Sequence, residues 1–326
     1  MSTEIFEFEK PIVALEQQHA EAQKKAEQGD VKAQAQLAGL EEEIRAKKVS
    51  VYANLTPWER VLFARHKNRP RSLDYIKNIT TEFIELHGDR NFGDDKAVIV
   101  GTARLNGEPV MMIGQQKGKD TKENVERNFG MMHPEGYRKA LRAMRLADKF
   151  GMPIIIFVDT PGAFPGIGAE ERGQAEAIAY NIQEMMGLKV PIVMTVIGEG
   201  ASGGALGIGL ADCVLMLENA WYCVISPEGC AAILWKDAAN SPKAAEVLKL
   251  TGPDLKKLGV IDDIIPEPLG GAHRHPQETF EAVAKALTAK LKPLKKLTAE
   301  KLQDKRFDKY RSMGVFLEEK LETPNA

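Results

Sequence analysis

Two glycine-rich segments hold the residues whose types and spacing best suit chemistry. The first is Asp159-Thr160-Pro161-Gly162-Ala163-Phe164-Pro165-Gly166-Ile167-Gly168, and the second is Gly198-Glu199-Gly200-Ala201-Ser202-Gly203-Gly204-Ala205. Each follows an apolar run and opens a helical pattern. At the C-terminal end of a strand such a turn presents unpaired backbone N–H groups at a helix N-terminus, which suit an anion or a developing oxyanion. Glycine lets a ligand approach that backbone closely. Tight turns needed only for packing would use the same residues, but two such segments in successive units weigh against that reading.

The second segment also fits two other motifs. Gly198 to Gly203 matches G-x-G-x-x-G after a strand, with Glu218 placed where a dinucleotide site would hold its ribose acid. Against it, the following helix spans about two turns and no second mononucleotide half follows. Gly200-Ala201-Ser202-Gly203-Gly204 matches the nucleophile elbow G-x-S-x-G, and Asp262, Asp263, His273 and His275 follow in the order a serine hydrolase needs. Those histidines lie in Gly270-Gly271-Ala272-His273-Arg274-His275-Pro276, which reads as a loop with exposed histidines. Asp159-Thr160-Pro161-Gly162 resembles a GTPase D-x-x-G, but Gly118-Lys119 is followed by Asp120, so no phosphate-binding G-x-x-x-x-G-K-[ST] exists.

The remaining polar clusters are weaker. Lys117, Lys119, Lys122 and Arg127 could meet a phosphate or an acidic partner, yet read as a solvated loop. Cys213, Cys223 and Cys230 lack Cys-x-x-Cys spacing, so neither a disulfide framework nor a zinc site is expected. Met131-Met132 and Met185-Met186 read as core filling. With 44 basic and 46 acidic side chains the formal charge is −2, which gives no bulk attraction to nucleic acid or an anionic membrane. The N-terminus has no apolar stretch followed by small residues, and no run of about 18 apolar residues occurs, so a cytoplasmic protein is expected.

The elements that must position the two segments follow from periodicity. Ile12, Leu15, His19, Ala22 and Ala26, then Ala33, Leu37, Leu40 and Ile44, recur at spacings of three and four around Gly29-Asp30. They predict a helical hairpin over 1–50, serving as a solvated surface or a subunit contact. Thr56-Pro57-Trp58 starts a helix, and the run from Arg65 to Arg71 reads as a solvated basic turn. Apolar runs at 97–105 and 109–115 flank Asn106-Gly107, the pair that most readily supplies two positive φ values, so they form a β-hairpin.

Helix and strand then alternate: helix 135–150, strand 154–158, helix 169–186, strand 192–197, helix 203–210, strand 213–217. Strands this continuously apolar are covered on both faces, which predicts an α/β domain with repeated crossovers over 51–295. A short strand at 222–225 leads to Ser226-Pro227-Glu228, a cap followed by proline at the first helical position, and Ser241-Pro242 repeats the signal. A short helix, a turn at Gly259 and a strand at 260–265 come next. A charged helical tail, expected at the periphery, fills 296–326.

Taken together, Gly114-Gln115-Gln116-Lys117-Gly118, Asn128-Phe129-Gly130-Met131, Pro134 to Ala140, Asp159 to Gln174, Gly198 to Gly207 and Ile225 to Cys230 resemble the carboxyltransferase alpha subunits of bacterial-type acetyl-CoA carboxylase. The likeness spans nearly the whole chain. Gln115 departs from it, since relatives often carry His there.

The resemblance implies a crotonase-like fold, a superhelix of β-β-α units whose helix N-termini supply paired N–H donors. It implies that this subunit receives carboxybiotin on the biotin carboxyl carrier protein, while a beta subunit with a zinc ribbon binds acetyl-CoA in an alpha2-beta2 assembly. The carboxyl group then passes to acetyl-CoA, giving malonyl-CoA for fatty acid synthesis; ATP is used by the separate biotin carboxylase. Loss of CO2 from carboxybiotin leaves negative charge on the ureido oxygen, so N–H donors are needed. The amides of Gly203, Gly204 and Ala205 are the expected catalytic donors, with Gly162, Ala163, Phe164, Gly166, Gly200 and Ser202 around biotin. No metal ligand is expected in this chain.

Overall fold

The computed structural model describes residues 5–315. The expected N-terminal hairpin forms from α1 (Lys10–Glu27) and α2 (Val31–Ala53), with the Asp30 carboxylate capping α2 by accepting from the amides of Lys32 and Ala33 at 2.9 and 3.1 Å. Its polar faces stay exposed. Buried Glu9 ties the two helices together by accepting from the Tyr52 hydroxyl at 2.8 Å, and fastens them to the main body by accepting from Arg274 at 3.2 Å; Ile12 and Tyr52 add an apolar contact with Leu55 and Phe63.

Next come α3 (Pro57–Ala64), started by a Thr56–Glu59 capping box, and α4 (Ser72–Ile79). The sheet begins with β1 (Thr81–Glu85), β2 (Val98–Leu105) and β3 (Glu108–Gln115). The turn at Asn106-Gly107 has φ values of 52° and 81°, as the hairpin expectation required. After α5 (Thr121–Glu126) and α6 (Pro134–Phe150) the alternation sets in: β4 (Ile154–Thr160), α7 (Ile167–Glu171), α8 (Gln174–Gly187), β5 (Ile192–Ala201), α9 (Ser202–Leu206), β6 (Cys213–Leu217) and β7 (Trp221–Cys223). The chain closes with α10 (Pro227–Trp235), α11 (Ser241–Val247), α12 (Gly252–Lys257), β8 (Asp263–Ile265), α13 (Pro276–Leu294) and α14 (Ala299–Arg311).

The sheet order is β1-β2-β3-β4-β5-β6-β8, antiparallel through β3 and parallel from there on. Every residue of β4, β5 and β6 is buried, the mark of parallel strands covered on both faces. Helix α6 supplies one cover with Tyr137, Ala140, Leu141, Met144 and Ala147, spaced at three and four. Strand β5 is the longest element of the sheet. Its first half pairs with β4 and β6; along its last residues, Glu199 to Ala201, β7 takes the place of β6, while Gly200 still pairs with Thr160 of β4. The strand therefore runs past β6 and carries β7 at its far end, and the α/β domain of crotonase-like design is observed.

Several local expectations are corrected. The helix foreseen over 169–186 is two helices, because Gly173 adopts φ 83° between them. The helix foreseen over 203–210 ends at Leu206, and the strand foreseen over 260–265 keeps only its last three residues. The basic turn from Arg65 to Arg71 is not solvated: Arg69 and Arg71 are buried. Arg69 donates to the Ile197 carbonyl at 2.7 Å and grips Glu267 through two bonds of 3.0 and 2.6 Å, a pairing that lets a guanidinium lie inside the fold. His273 is half-buried rather than exposed, stacked 3.9 Å from His66 and edge-on to Phe63 at 4.9 Å, while His275 is exposed.

The charged tail forms α14, and it is anchored rather than peripheral. Arg306 is buried there, donating to Asp212 at 2.9 and 2.8 Å and to the carbonyls of Met185, Leu188 and Val190. Residues 316–326 of the expected tail and 1–4 of the expected hairpin region lie outside the described residues. Met132 and Met185 fill the core and Met186 packs against it. Among the described residues no helix is long and apolar enough to cross a membrane.

Candidate active site

The two glycine segments sit at the ends of neighbouring parallel strands, β4 and β5, so the topology brings them side by side. They touch backbone to backbone. A β-carbon built on Gly204 would lie 2.2 Å from the carbonyl carbon of Gly162 and 2.5 Å from the amide of Ala163, so only glycine fits. Thr160 folds the first loop by donating its hydroxyl to the Gly162 carbonyl at 2.7 Å. In the second loop, Ser202 takes φ 57° where β5 turns into α9. The first-turn amides of a helix have no intrahelical acceptor, which in α9 leaves those of Ser202, Gly203 and Gly204.

A cleft of about 420 Å³ opens where the loops meet, with Gly162, Ala163 and Phe164 on one wall and Ser202, Gly203 and Ser226 on the other. Gly204 and Ala205 lie buried just behind. Gly166 and Gly200 stand outside the lining: a β-carbon on Gly166 would meet the Phe164 ring at 2.4 Å, and one on Gly200 would meet Tyr222 at 2.9 Å. Both make room for a neighbouring ring. A second, apolar cleft of about 380 Å³ lies on the other side of α9, where Ser202, Gly203 and Leu206 face Tyr222, Cys223 and Leu258. The first turn of α9 is thus a ridge between two cavities.

Beneath the loops runs a buried ionic chain that the sequence reading missed. The Lys117 ammonium, far from lying in a solvated loop, is buried and donates to Asp159 at 2.6 Å and to Glu199 at 2.5 Å. Arg65 continues the chain, donating to Glu199 at 2.6 Å and forking onto Glu228 at the start of α10. Burial pushes Glu199 towards the neutral acid, but Lys117 and Arg65 outweigh it and hold the carboxyl down at about 2. The signal in the sequence was slight: an acid inside each glycine segment, and a lysine two residues past the end of the adjoining strand. Of its basic companions, Lys119 and Lys122 are exposed, and Arg127 pairs with Glu123.

Gln115 joins the loops at a higher level. Its Nε2 donates to the Gly204 carbonyl at 2.8 Å, and its Oε1 accepts from the Asp159 amide at 3.3 Å. The Tyr137 hydroxyl also donates to the Gly204 carbonyl, at 3.4 Å. What the arrangement offers chemically is a cleft beside a first helical turn whose amides have no helical acceptor, on a braced backbone; donors of that kind suit negative charge on an oxygen.

The rival motifs fail on geometry. Neither cleft that Ser202 lines contains a histidine, while Asp262 pairs with Lys309 and Asp263 with Lys256 and Lys290, so no hydrolase base is assembled. Burial and the neighbouring His66 and Arg274 hold His273 at about 3, inside its aromatic packing. The dinucleotide reading fails because α9 has five residues and the Glu218 carboxylate accepts from the Glu267 amide at 3.0 Å. Among the described residues no group of three His, Cys, Asp or Glu is placed to hold a metal ion, and all three cysteines are free.

Comparison with known proteins bears on the fold and the family. Among solved structures, transcarboxylase 12S superposes with a TM-score of 0.55 at 22% identity, over 68% of this chain and 41% of that one. A Pseudomonas malonate decarboxylase hetero-tetramer in complex with coenzyme A gives 0.56 at 17% identity, over 68% and 89%. These likenesses show the fold. Sequence relatives are much nearer. Proteins named acetyl-coenzyme A carboxylase carboxyl transferase subunit alpha are 57% identical in Geobacter metallireducens, over 96% of this chain and 98% of that protein. The one in Thermus thermophilus is 55% identical over 96% and 99%. The family model for acetyl co-enzyme A carboxylase carboxyltransferase-like proteins matches residues 5–314, so this chain belongs to that family.

Proposed function

We propose that this chain is the alpha subunit of an acetyl-CoA carboxylase carboxyltransferase and contributes the biotin-facing half of a shared active site. Membership of the family makes it a component of a carboxyltransferase. The finer reading is that carboxybiotin arrives on the biotin carboxyl carrier protein, and that a zinc-bearing beta subunit, assembled as alpha2-beta2, brings acetyl-CoA. Malonyl-CoA leaves for fatty acid synthesis, and ATP is spent by the biotin carboxylase in the cytoplasm.

The observation that carries this reading is the contact of Gly204 with Gly162, which closes two backbone turns around one cleft. The cleft suits a compact, uncharged ureido ring, because its walls offer backbone N–H donors and apolar contacts from Phe164 and Ile178. Carboxybiotin, when bound, supplies the carboxyl group that the acetyl methyl carbon receives. The chain's own part is electrostatic. Gly203 lines the cleft and Gly204 lies buried just behind it; the amides of both lack a helical acceptor and are assigned the donor role, and Ala205 continues the turn. One such donor is worth about 3 kcal/mol in a transition state that places charge on oxygen. Ala163 and Phe164 form the facing wall and exclude water.

The test is co-expression with a beta subunit of the same family, scored by the mass of the complex and by malonyl-CoA formed from a carboxylated carrier. The complex is expected to be active and the lone chain inert. Transfer to acetyl-CoA by the lone chain would overturn the shared-site reading.

A further inference from the structure

We infer that Gln115 is a positioning residue for this transfer, holding the Gly203-Gly204 turn in register with the Asp159 loop; the inference rests on the function proposed above. Gln115 is fully buried and touches no cleft. Its amide meets two backbone groups, and each is orphaned by an irregularity that the site requires.

The first is the Gly204 carbonyl. In a continuing helix it would accept from the amide of Ile208, but α9 stops at Leu206 and that amide turns to Ala205 at 3.3 Å. Gly209 turns to Leu206 at 3.0 Å. The Gly204 carbonyl is left inside the protein without a ladder partner; Gln115 supplies the near donor at 2.8 Å, and the Tyr137 hydroxyl stands farther off at 3.4 Å. The second is the Asp159 amide. The register between β4 and β5 slips between Val158 and Thr160, so Asp159 has no partner across that ladder, and Gln115 supplies the acceptor at 3.3 Å.

One side chain thus ties the catalytic turn to the opposite loop. It lies at the end of β3, where the antiparallel part of the sheet meets the parallel part, and its backbone is itself held by Ser72, whose hydroxyl donates to the Gln115 carbonyl at 2.5 Å. Two residues on, Lys117 repeats the tie between the Asp159 and Glu199 carboxylates.

The distinguishing chemistry is one donor and one acceptor on a single neutral group. A neutral imidazole offers the same pair; methionine has a similar length and shape but neither function; a carboxylate accepts only. In the assembled enzyme, Gln115→Met should lower kcat by about 10- to 100-fold with KM for acetyl-CoA unchanged, while Gln115→His should stay within about threefold of the parent. In the free chain, amide hydrogen exchange across 198–209 should quicken in Gln115→Met and not in Gln115→His.

Equal activity of the Met variant and the parent, or a His variant as poor as Met, would overturn the inference. Should Gln115→Met not fold, Gln115→Asn carries the same test, because it keeps both functions and withdraws them by one methylene. The exchange measurement needs no partner subunit. An inactive parent complex together with quickened exchange in Gln115→Met would therefore count against the function proposed above and not against the positioning role.

Discussion

Gly204 rests against Gly162 so closely that a single methyl group on the former would lie 2.2 Å from the carbonyl carbon of the latter. Nothing flexible stands between them, since both partners are backbone. Gly204→Ala should therefore push the loops apart. Displacements of about 1 Å in a positioned site cost about 100-fold in rate, so kcat in the assembled complex should fall by at least that order. Complex formation, read by mass, should persist. A variant of unchanged turnover would mean that the chain is only a scaffold for its partner.

Lys117 is shared by two buried carboxylates, which makes it hard to replace. Lys117→Met should cost about 3 kcal/mol, because it removes the cation shared by two buried carboxylates and leaves Glu199 to Arg65 and Asp159 to a longer 3.7 Å pairing with Arg71. Urea unfolding at neutral pH reads the loss directly. The double variant Lys117→Met with Glu199→Gln should recover part of it. If the two substitutions simply add, the pair is not coupled and the chain of ion pairs has been misread.

The same network sets an acid limit. Glu199 is held at about 2, below the ordinary 4.5. A carboxyl with a depressed native pKa binds protons more readily when unfolded, so its contribution is complete above about 4.5 and fades as pH falls towards 2. Glu199→Gln should flatten the fall of unfolding free energy across that window. A curve that keeps its slope would assign the acid sensitivity to other groups.

His273 acts at a higher pH. Burial, with His66 and Arg274 nearby, lowers it from 6.5 to about 3. Here too the unfolded chain takes up the proton first. Its contribution is complete above about 6.5 and is lost progressively as pH falls towards 3. Replacing His273 by leucine should remove the slope between pH 6.5 and 5, where Glu199 does not yet titrate. Tryptophan fluorescence of urea-unfolded samples at stepped pH measures this.

Arg306 should prove structural and nothing more. Its removal as Arg306→Met strands the Asp212 carboxylate and the carbonyls of Met185, Leu188 and Val190, at a cost of about 3–5 kcal/mol. The melting temperature should drop by several degrees. At a temperature where the variant is folded, turnover in the complex should equal that of the parent, since Arg306 touches neither cleft.

Much of this was legible in the sequence because the signals are local. Asn106-Gly107 can make few turns other than the one it makes, and the unbroken apolar runs of β4 to β6 have no other home than a covered sheet. The two glycine segments were found for the same reason. What escaped was non-local. A basic stretch such as Arg65 to Arg71 looks like a solvated turn until one knows that Glu199, Glu228 and Glu267 converge on it from far along the chain. Periodicity could not reveal that Gly173 splits a helix, since its φ of 83° is permitted to glycine but not demanded by it. Gln115 gave no hint of its role, because that role depends on where α9 stops.

The buried arginines bear on how the molecule is made. Arg65 and Glu228 are 163 residues apart in the chain, and Arg69 and Glu267 are 198 apart. On the ribosome the cations emerge long before the acids that neutralise them, and a guanidinium stays in water until then. Contacts of such long sequence separation form slowly and late. The nascent chain can assemble β1 to β5 while the seat of the two glycine turns is still open, and that seat closes only when translation has passed Glu267. Ribosome-bound intermediates of this protein should therefore carry a folded β1–β5 sheet and an unfinished seat for the two glycine turns.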